Sequence, residues 1–261
     1  MRLLFLLILL FPFYTFSQVN IESQRSSRKG LLTTISIGSQ LKKGNSDVFD
    51  LRSSLRLDHN TTSNHFFVLA DYEYGQSNGS DYKDSKFVHL RDTFMFSEDV
   101  GNIIKRFESS WGVEGFTQYQ SDNFSDLEVR QLLGFGLRYQ EKDETTVKID
   151  IRDVLAIGLG GMLEYESLIS TEGDGFFFRL TSYISFRNKV EKSSSFFLIA
   201  YFQPKLLDLY DFRILSELGW EWKIQEKAFI KNALRFNYDS RPPQEVDPYD
   251  LSNVISLKLD W

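Results

Sequence analysis

Long stretches of this chain alternate between apolar and polar residues, and this alternation limits the fold more than any other feature. The stretch 47–59, DVFDLRSSLRLDH, places four large apolar residues at odd positions and charged residues at even positions between them. The stretches 127–140 and 211–224 repeat the scheme. Because side chains of a β-strand alternate between its two faces, each stretch is predicted to be a strand with one apolar and one charged face.

Short polar segments rich in Gly, Asn, Asp, Ser or Pro separate these stretches and are typical of turns and loops. Among them are HNTTSN (59–64), GQSNGSDYKD (75–84) and SRPPQEVDPYD (240–250). Counting the stretches between them predicts one domain of about twelve strands, each of about 9 to 14 residues, in an up-and-down meander. Residues 153–175 fit the pattern least well, and we expect one strand, a glycine-rich kink and a loop there.

The length of the predicted strands indicates a membrane protein. Strands of soluble sheets have about 5 to 6 residues, whereas strands that span a bilayer need about 9 to 11. A sheet in lipid must close on itself because every backbone group has to be paired. The predicted fold is therefore all-β, an up-and-down antiparallel transmembrane β-barrel of about twelve strands. The alternative is a soluble periplasmic ligand-binding barrel, in which the apolar face would form the core.

The first residues are typical of a secretory signal peptide. Arg2 precedes an apolar run from Leu3 to Phe11, and small residues follow at Thr15 and Ser17. The run is shorter than the ~20 residues that a membrane-anchor helix needs, so cleavage after Ser17 is expected. We predict a signal peptide over residues 1–17, a short segment over 18–30 and the barrel over 31–261. Export together with a barrel predicts the outer membrane of a Gram-negative envelope.

Composition excludes one class of partner and agrees with the alternation. The net charge is −6, which argues against nucleic-acid binding, since such proteins present a basic surface. Aromatic residues make up 15% of the chain while its mean hydropathy is only −0.28, as expected where apolar and polar residues interleave. The expected partners are outer-membrane lipids. With an even number of strands, both ends of the barrel should lie on the periplasmic side, which places residues 75–84 and 240–250 outside.

The charged faces of the strands should point into the barrel. Two interpretations follow: oppositely charged side chains pair and fill the lumen, or they line a narrow channel and set its selectivity. The candidate lining residues carry both signs of charge and come from several strands. They are Arg52, Arg56, Glu128, Arg130, Arg138, Arg213, Glu217, Glu221 and Lys258.

Aromatic residues near strand ends are candidates for the girdles that mark the two membrane interfaces. The candidates are Trp111, Trp220, Trp222 and Trp261. The last predicted strand, ISLKLDW, also ends on an aromatic residue within a strict alternation. We expect its apolar residues to face lipid and to serve as the signal that the outer-membrane insertion machinery recognises: Ile255, Leu257, Leu259 and Trp261.

Catalytic chemistry finds little support in the sequence. None of the three His residues has a Ser or Asp at a spacing that indicates a nucleophile and its base. His59 and His65 flank a predicted turn, and the acids Glu217 and Glu221 share a strand face with cations. No phosphate loop, zinc spacing or calcium loop occurs, so we predict no catalytic residue, metal or cofactor. A membrane-embedded enzyme acting on lipid or lipopolysaccharide remains the alternative function.

Three stretches resemble a known family. GNSDVFDLRSSLRLDH (44–59), LLGFGLRYQ (132–140) and LRFNYDSRPPQEVDPYDLSNVISLKLDW (234–261) are similar to the salt-induced outer-membrane proteins. The resemblance implies an outer-membrane β-barrel of a domain with unknown function and a link to envelope or salt stress, and it brings no activity or site residues. Members of that family usually end on Phe, where this chain has Trp261.

Overall fold

A computed structural model describes residues 22, 30–42, 47–98, 108–142, 153–170, 174–191, 193–225, 228–242 and 247–259. The predicted signal peptide (residues 1–17) lies outside the described residues, as do all of the 18–30 segment except Glu22 and Gly30. Gly44 and Asn45, which open the first stretch of the family resemblance, also lie outside them, as do Pro243 of the predicted loop 240–250 and the girdle candidate Trp261.

The described chain forms twelve β-strands and a short 3-10 helix, Asn123–Ser125. No helix in the described ranges has the length and apolarity to cross a membrane. The strands are β1 (Gly30–Lys42), β2 (Val48–Asn60), β3 (Asn64–Ser77), β4 (Ser80–Glu98), β5 (Glu108–Asp122), β6 (Leu127–Lys142), β7 (Asp153–Leu168), β8 (Gly175–Glu191), β9 (Ser194–Lys205), β10 (Asp208–Gln225), β11 (Ala228–Asp239) and β12 (Tyr249–Leu259).

Each strand pairs with the next in sequence, so the sheet is a twelve-stranded antiparallel meander. Its two outermost strands, β1 and β12, bring Cα atoms within 8 Å of each other, so the sheet curves round on itself as a barrel. The predicted fold class and strand number are confirmed. The strands have 11 to 19 residues, and six of them, β4 to β8 and β10, are longer than the expected 9 to 14.

Because neighbouring strands are antiparallel, their connections lie alternately at two ends of the barrel. We call the end where β1 begins and β12 finishes the terminal end, and the opposite end the far end. The β3–β4 turn at residues 78–79 and the β11–β12 connection at 240–248 are both at the far end. The segments 75–84 and 240–250 therefore share one end, as the meander predicts.

The apolar face of each strand points out of the barrel. Leu133, Phe135 and Leu137 in β6 are exposed, whereas Leu132 and Arg138 on the other face are buried. The same alternation places exposed apolar residues on the outside of β1, β4, β7 and β10. A soluble barrel would bury this face, so the arrangement is that of a transmembrane β-barrel.

Residues 153–168, where we expected a strand followed by a glycine-rich kink, form the single continuous strand β7. The strand pairs with β6 and β8 along its length, and the loop begins only after Leu168. Glycines of β7 and of the neighbouring strand β6 leave space for aromatic rings inside the barrel. A Cβ atom at Gly158 would lie 2.0 Å from the Tyr183 ring, and one at Gly134 would lie 2.3 Å from the Phe116 ring.

Candidate functional site in the barrel interior

The inner face of the barrel carries charged side chains that are buried and joined into clusters. The first, which we call the far-end cluster, joins three arginines and a lysine to four carboxylates. Its members are Arg130, Arg179, Lys205, Arg213, Glu164, Glu166, Asp211 and Asp239. The formal charges balance, as the burial of so many ions requires.

Glu164 and Arg213 link the two sides of the far-end cluster. One oxygen of the Glu164 carboxylate lies 2.6 Å from Arg213 Nη1, and the other accepts a hydrogen bond from Arg179 Nε at 2.9 Å. Arg213 also contacts Glu166 at 2.8 Å and Asp239 at 2.8 Å. Since β7, β8, β10 and β11 each supply a side chain, these ion pairs cross the lumen rather than follow one strand.

A second group, the central cluster, is built around a residue that precedes the barrel. Glu22 is buried, and its carboxylate lies 3.2 Å from Arg91 Nη1 and 3.0 Å from Arg138 Nη1. The Glu22 backbone N–H donates to the Tyr201 hydroxyl at 3.3 Å. Arg138 also donates to the Tyr183 hydroxyl at 2.7 Å. A single residue from the N-terminal segment thus joins side chains of β4, β6 and β9.

Tyr183 extends the central cluster to β5. Its hydroxyl donates to Glu114 Oε2 at 3.0 Å, and Glu114 in turn lies 3.5 Å from Arg91. The ring of Tyr183 packs against Tyr201 with centroids 5.2 Å apart. This close packing is possible because Gly158, on the neighbouring strand, has no side chain in the space that the ring occupies.

Two smaller groups of charges also lie on the inner face. Glu217 on β10 pairs with Lys231 at 2.7 Å and Arg235 at 3.2 Å on the adjacent strand. Arg56 and Asp58 form a two-point pair on β2, with atoms 2.6 Å and 2.7 Å apart. The Arg56 guanidinium also lies over the Phe67 ring, 4.4 Å from its centroid.

Aromatic and aliphatic side chains fill the space between the charged clusters. Phe197, Ile199 and Tyr201 of β9 form an apolar cluster with Leu215, which explains why β9 is apolar on both faces. His89 stacks between Phe rings, and its Nδ1 lies 3.2 Å from Gln118 Oε1. Interior side chains less than 2% exposed come from many strands: Phe67, Leu69, Phe87, His89, Gln120, Arg138, Met162, Arg179, Phe197 and Ile199.

The interior includes a cavity of about 40 Å³ beside the central cluster. His89, Arg91, Gln118 and Tyr201 are among its lining residues. A water molecule needs roughly 10 to 15 Å³ of such volume, so the cavity could hold about three waters. The Arg91 Nε and His89 Nε2 atoms are buried without a hydrogen-bond partner, and water in the cavity is a suitable partner for polar atoms of this kind.

The structure places most of the predicted lining residues inside the barrel. Arg56, Arg138, Arg213, Glu217 and Glu221 are buried on the inner face, and Arg130 is largely buried. Arg52 and Glu128 are exposed, and Glu128 accepts a hydrogen bond from Ser167 at 2.8 Å. The side chain of Lys258 lies outside the described residues.

Sequence reasoning missed three central residues: Glu22, Arg91 and Glu164. Arg91 is at an inward position of β4, and the alternation around it could have shown this. Glu164 lies in the stretch 153–175, whose glycines obscured the pattern. Glu22 belongs to no strand, and no periodic signal could have placed it in the barrel.

Aromatic residues form two groups on the outside of the barrel, one toward each end. Toward the terminal end, Trp220 packs on Phe196 with ring centroids 5.1 Å apart. The half-buried Trp111 packs on Tyr139 at 5.2 Å, and Tyr139 itself is buried. Trp222 lies two residues beyond Trp220 toward the same end. Toward the far end, Phe212 packs between Phe202 and Tyr238 at 5.6 Å and 5.7 Å.

Three of the four residues expected to guide insertion lie on β12, and Trp261 lies outside the described residues. Ile255 is exposed on the outside of the barrel, opposite Asn232 of β11. Leu257 pairs with Ile230 and Leu259 with Ala228 in the backbone register, and the side chains of both lie outside the described residues.

Residues 35–261 match the model of the family described as protein of unknown function, DUF481. The chain belongs to this family. None of the curated proteins matches its sequence. The family match covers the barrel and adds no activity to it.

Several solved structures resemble the chain weakly. The translocator domain of the autotransporter NalP from Neisseria meningitidis has a TM-score of 0.39 and 10% identity, covering 88% of this chain and 86% of that one. The β domain of the Bordetella autotransporter BrkA has a TM-score of 0.32 and 11% identity, covering 88% and 97%. A loop-deletion mutant of OmpT, an outer membrane protein of Vibrio cholerae, has a TM-score of 0.31 and 11% identity, covering 89% and 97%.

Proposed function

We propose that this DUF481 protein is an integral outer-membrane β-barrel with a structural role, whose lumen is closed by paired charges. The observation that carries the proposal is the reversal of a soluble core: apolar side chains face outward, and ion pairs are buried inside. Only a lipid environment makes such an outer face favourable over the whole circumference. The aromatic groups toward both ends fit the two membrane interfaces.

The packed interior favours a structural role over an open channel. Side chains that line a water-filled pore contact solvent, whereas Arg138, Arg179, Glu164 and Glu217 are at most 1% exposed. The charge of Arg138 is neutralised by Glu22, and the charges of the other three are neutralised by partners on neighbouring or facing strands. A narrow water path past such a lining would have to break ion pairs, which costs several kcal/mol for each buried charge left alone.

Membrane fractionation and conductance test this proposal. We expect the protein in the outer-membrane fraction, with a gel mobility that changes on boiling, and no steady conductance after reconstitution into planar bilayers. Recovery in the soluble fraction would refute the membrane location. Stable single-channel steps would refute the closed lumen and favour a narrow channel.

We also propose that the outer-membrane insertion machinery recognises β12 through Ile255, Leu257, Leu259 and Trp261. Support comes from the exposed position of Ile255 on the outer face and from the alternation that continues to Trp261. Trp261→Ala should lower the yield of heat-modifiable barrel more than Trp111→Ala does. Equal yields of the two variants would contradict this role for β12.

A role in salt stress rests on the family resemblance alone. Its test is the growth of a deletion strain at high salt, with the wild-type gene restored as the control. Equal growth of the two strains would remove the link.

A further inference from the structure

The turn between β9 and β10 and the turn between β3 and β4 both have two residues and lie at the far end, but their residues differ in chemistry. The β3–β4 turn is Asn78–Gly79, with φ values of 50° and 82°, as a tight hairpin turn requires. The β9–β10 turn is Leu206–Leu207, and neither residue has a positive φ. Leucine offers no turn-forming property, so its presence at a hairpin tip calls for another physical reason.

The backbone next to Leu206–Leu207 explains how the turn forms without glycine. The β9–β10 register shifts between Asp208 and Phe212, so residues 209–211 form a bulge. Pro204 precedes the turn and has no N–H to donate. The Arg179 guanidinium lies 3.3 Å from the Gln203 carbonyl and 3.4 Å from the Asp211 carbonyl, so it satisfies backbone groups that the bulge leaves unpaired.

The turn and the bulge expose an apolar patch, which we call the β9–β10 tip: Leu206, Leu207, Leu209 and Tyr210. Leu207 is 97% exposed, Tyr210 84% and Leu209 60%. Exposing this much apolar surface of a single hairpin to water is unfavourable in free energy. The patch continues the outer apolar face toward the far end. Leu206 comes four residues after Phe202 in β9, Tyr210 comes two residues before Phe212 in β10, and Phe202 packs on Phe212.

The position of the tip along the barrel matches the edge of a bilayer. Leu206 is ten residues from Phe196, which packs on Trp220 toward the terminal end. At about 3.3 Å per residue and a strand tilt of about 40°, this separation is about 25 Å along the barrel axis. The apolar band of outer-membrane barrels is also about 25 Å tall. The neighbouring strand β8 extends farther than the tip at this end of the barrel. The Leu206 N–H donates to the Phe178 carbonyl, and β8 begins at Gly175, three residues before Phe178.

We propose that the β9–β10 tip is a lipid anchor, inserted among the acyl chains of the membrane leaflet at the far end. The inference rests on the proposed membrane location and adds a specific contact to it. Acyl chains are the occupant that the observations favour, because the patch lies at the level of the bilayer edge and continues the lipid-facing surface. The β3–β4 hairpin, whose tip is polar, provides the contrast: its Asn78–Gly79 turn belongs in water.

Nitroxide spin labels test the anchor, since the chain contains no cysteine. Single-cysteine variants Leu207→Cys, Asn78→Cys and Leu133→Cys would be labelled and reconstituted into phosphatidylethanolamine–phosphatidylglycerol vesicles. Collision with oxygen reports lipid, and collision with a water-soluble nickel chelate reports water. We expect the ratio of oxygen to nickel accessibility at residue 207 to approach that at residue 133 and to exceed that at residue 78.

The three positions separate failure of the anchor from failure of the membrane location. If residue 207 resembles residue 78 while residue 133 is in lipid, the anchor is wrong and the barrel still spans the membrane. If residue 207 is shielded from both reagents, a protein surface covers the tip and the anchor is also wrong. If residue 133 is accessible to nickel, the proposed membrane location itself fails.

Discussion

The barrel interior depends on single side chains that connect several strands. Glu164 illustrates this, because its two carboxylate oxygens contact Arg179 and Arg213 on two different strands, and no part of it is exposed. Removing one partner of a buried ion pair leaves an uncompensated charge, which generally costs about 3–5 kcal/mol. The stability of the barrel should therefore respond more to these residues than to the exposed charges.

The variant Glu164→Gln should lower barrel stability strongly, because it leaves the far-end cluster with an excess positive charge. We expect a loss of about 3–5 kcal/mol. The measurement is the temperature at which the folded gel mobility is lost. Glu128→Gln is the matched control, since Glu128 is an exposed acid on the same inner region, and it should leave that temperature nearly unchanged. Equal effects of the two variants would show that the ion pairs of Glu164 contribute little.

Glycine at residue 158 is required by the packing of Tyr183. Gly158→Ala should destabilise the barrel by about 1–3 kcal/mol, the usual cost of overfilling a packed core, because its Cβ would meet the ring at 2.0 Å. Gly115→Ala is the control, since a Cβ there meets no atom within 4 Å. Urea unfolding in detergent compares the two. A Gly158→Ala barrel as stable as the Gly115→Ala barrel would mean that the ring moves aside easily.

The buried position of Glu22 could not be predicted from the sequence. Its carboxylate joins Arg91 and Arg138 at the centre of the barrel, yet it stands in a segment without periodicity. The position of Arg138, in contrast, follows from the alternation of β6. Sequence patterns report which face of a strand a residue occupies, and they carry no information on a contact made by a segment outside the strands.

Strands were predictable in number and in facing, because a side-chain period of two determines both. Their connections were less predictable. The Asn78–Gly79 turn has recognisable turn chemistry, whereas Leu206–Leu207 is apolar and continues the pattern of the strands around it. The continuity of β7 was also missed, since two of its glycines, Gly158 and Gly161, are explained by the Tyr183 and Phe178 rings of β8, which are distant in sequence.

The cost of an added charge on the outer face of β6 should depend on its depth in the membrane. Phe135 is at the middle of the strand and 75% exposed on the outer face, so Phe135→Arg should place a cation in the lipid core. Such a substitution near the bilayer midplane costs about 2–4 kcal/mol, and near an interface about 0–1 kcal/mol. We therefore expect Phe135→Arg to reduce membrane-assembled barrel much more than Gln131→Arg, which is nearer the far end. Similar yields of the two variants, measured by heat-modifiable mobility, would contradict the assignment of the outer face.

In the whole molecule, many charged side chains are buried inside and apolar side chains are exposed outside, the reverse of a soluble protein. The whole chain has a net charge of −6 and a quarter of its residues are charged, and yet the barrel presents an apolar exterior. This combination is stable only because the interior ions neutralise one another across strands. Aromatic packing between the clusters limits the access of bulk water to them, as the stacking of His89 on Phe87 and Phe116 illustrates.

The stability of the whole barrel should consequently depend little on salt. Dissolved ions screen charges that contact solvent, and they screen buried pairs much less. Pairs such as Arg213 with Glu164 are buried, whereas an exposed pair such as Lys86 with Asp84 contributes at most about 1 kcal/mol. The temperature at which the folded gel mobility is lost should thus shift only slightly between low salt and about 1 M sodium chloride, where the screening length falls to about 3 Å. A large decrease at high salt would mean that water and ions reach the interior clusters, and it would favour a conducting lumen over a closed one.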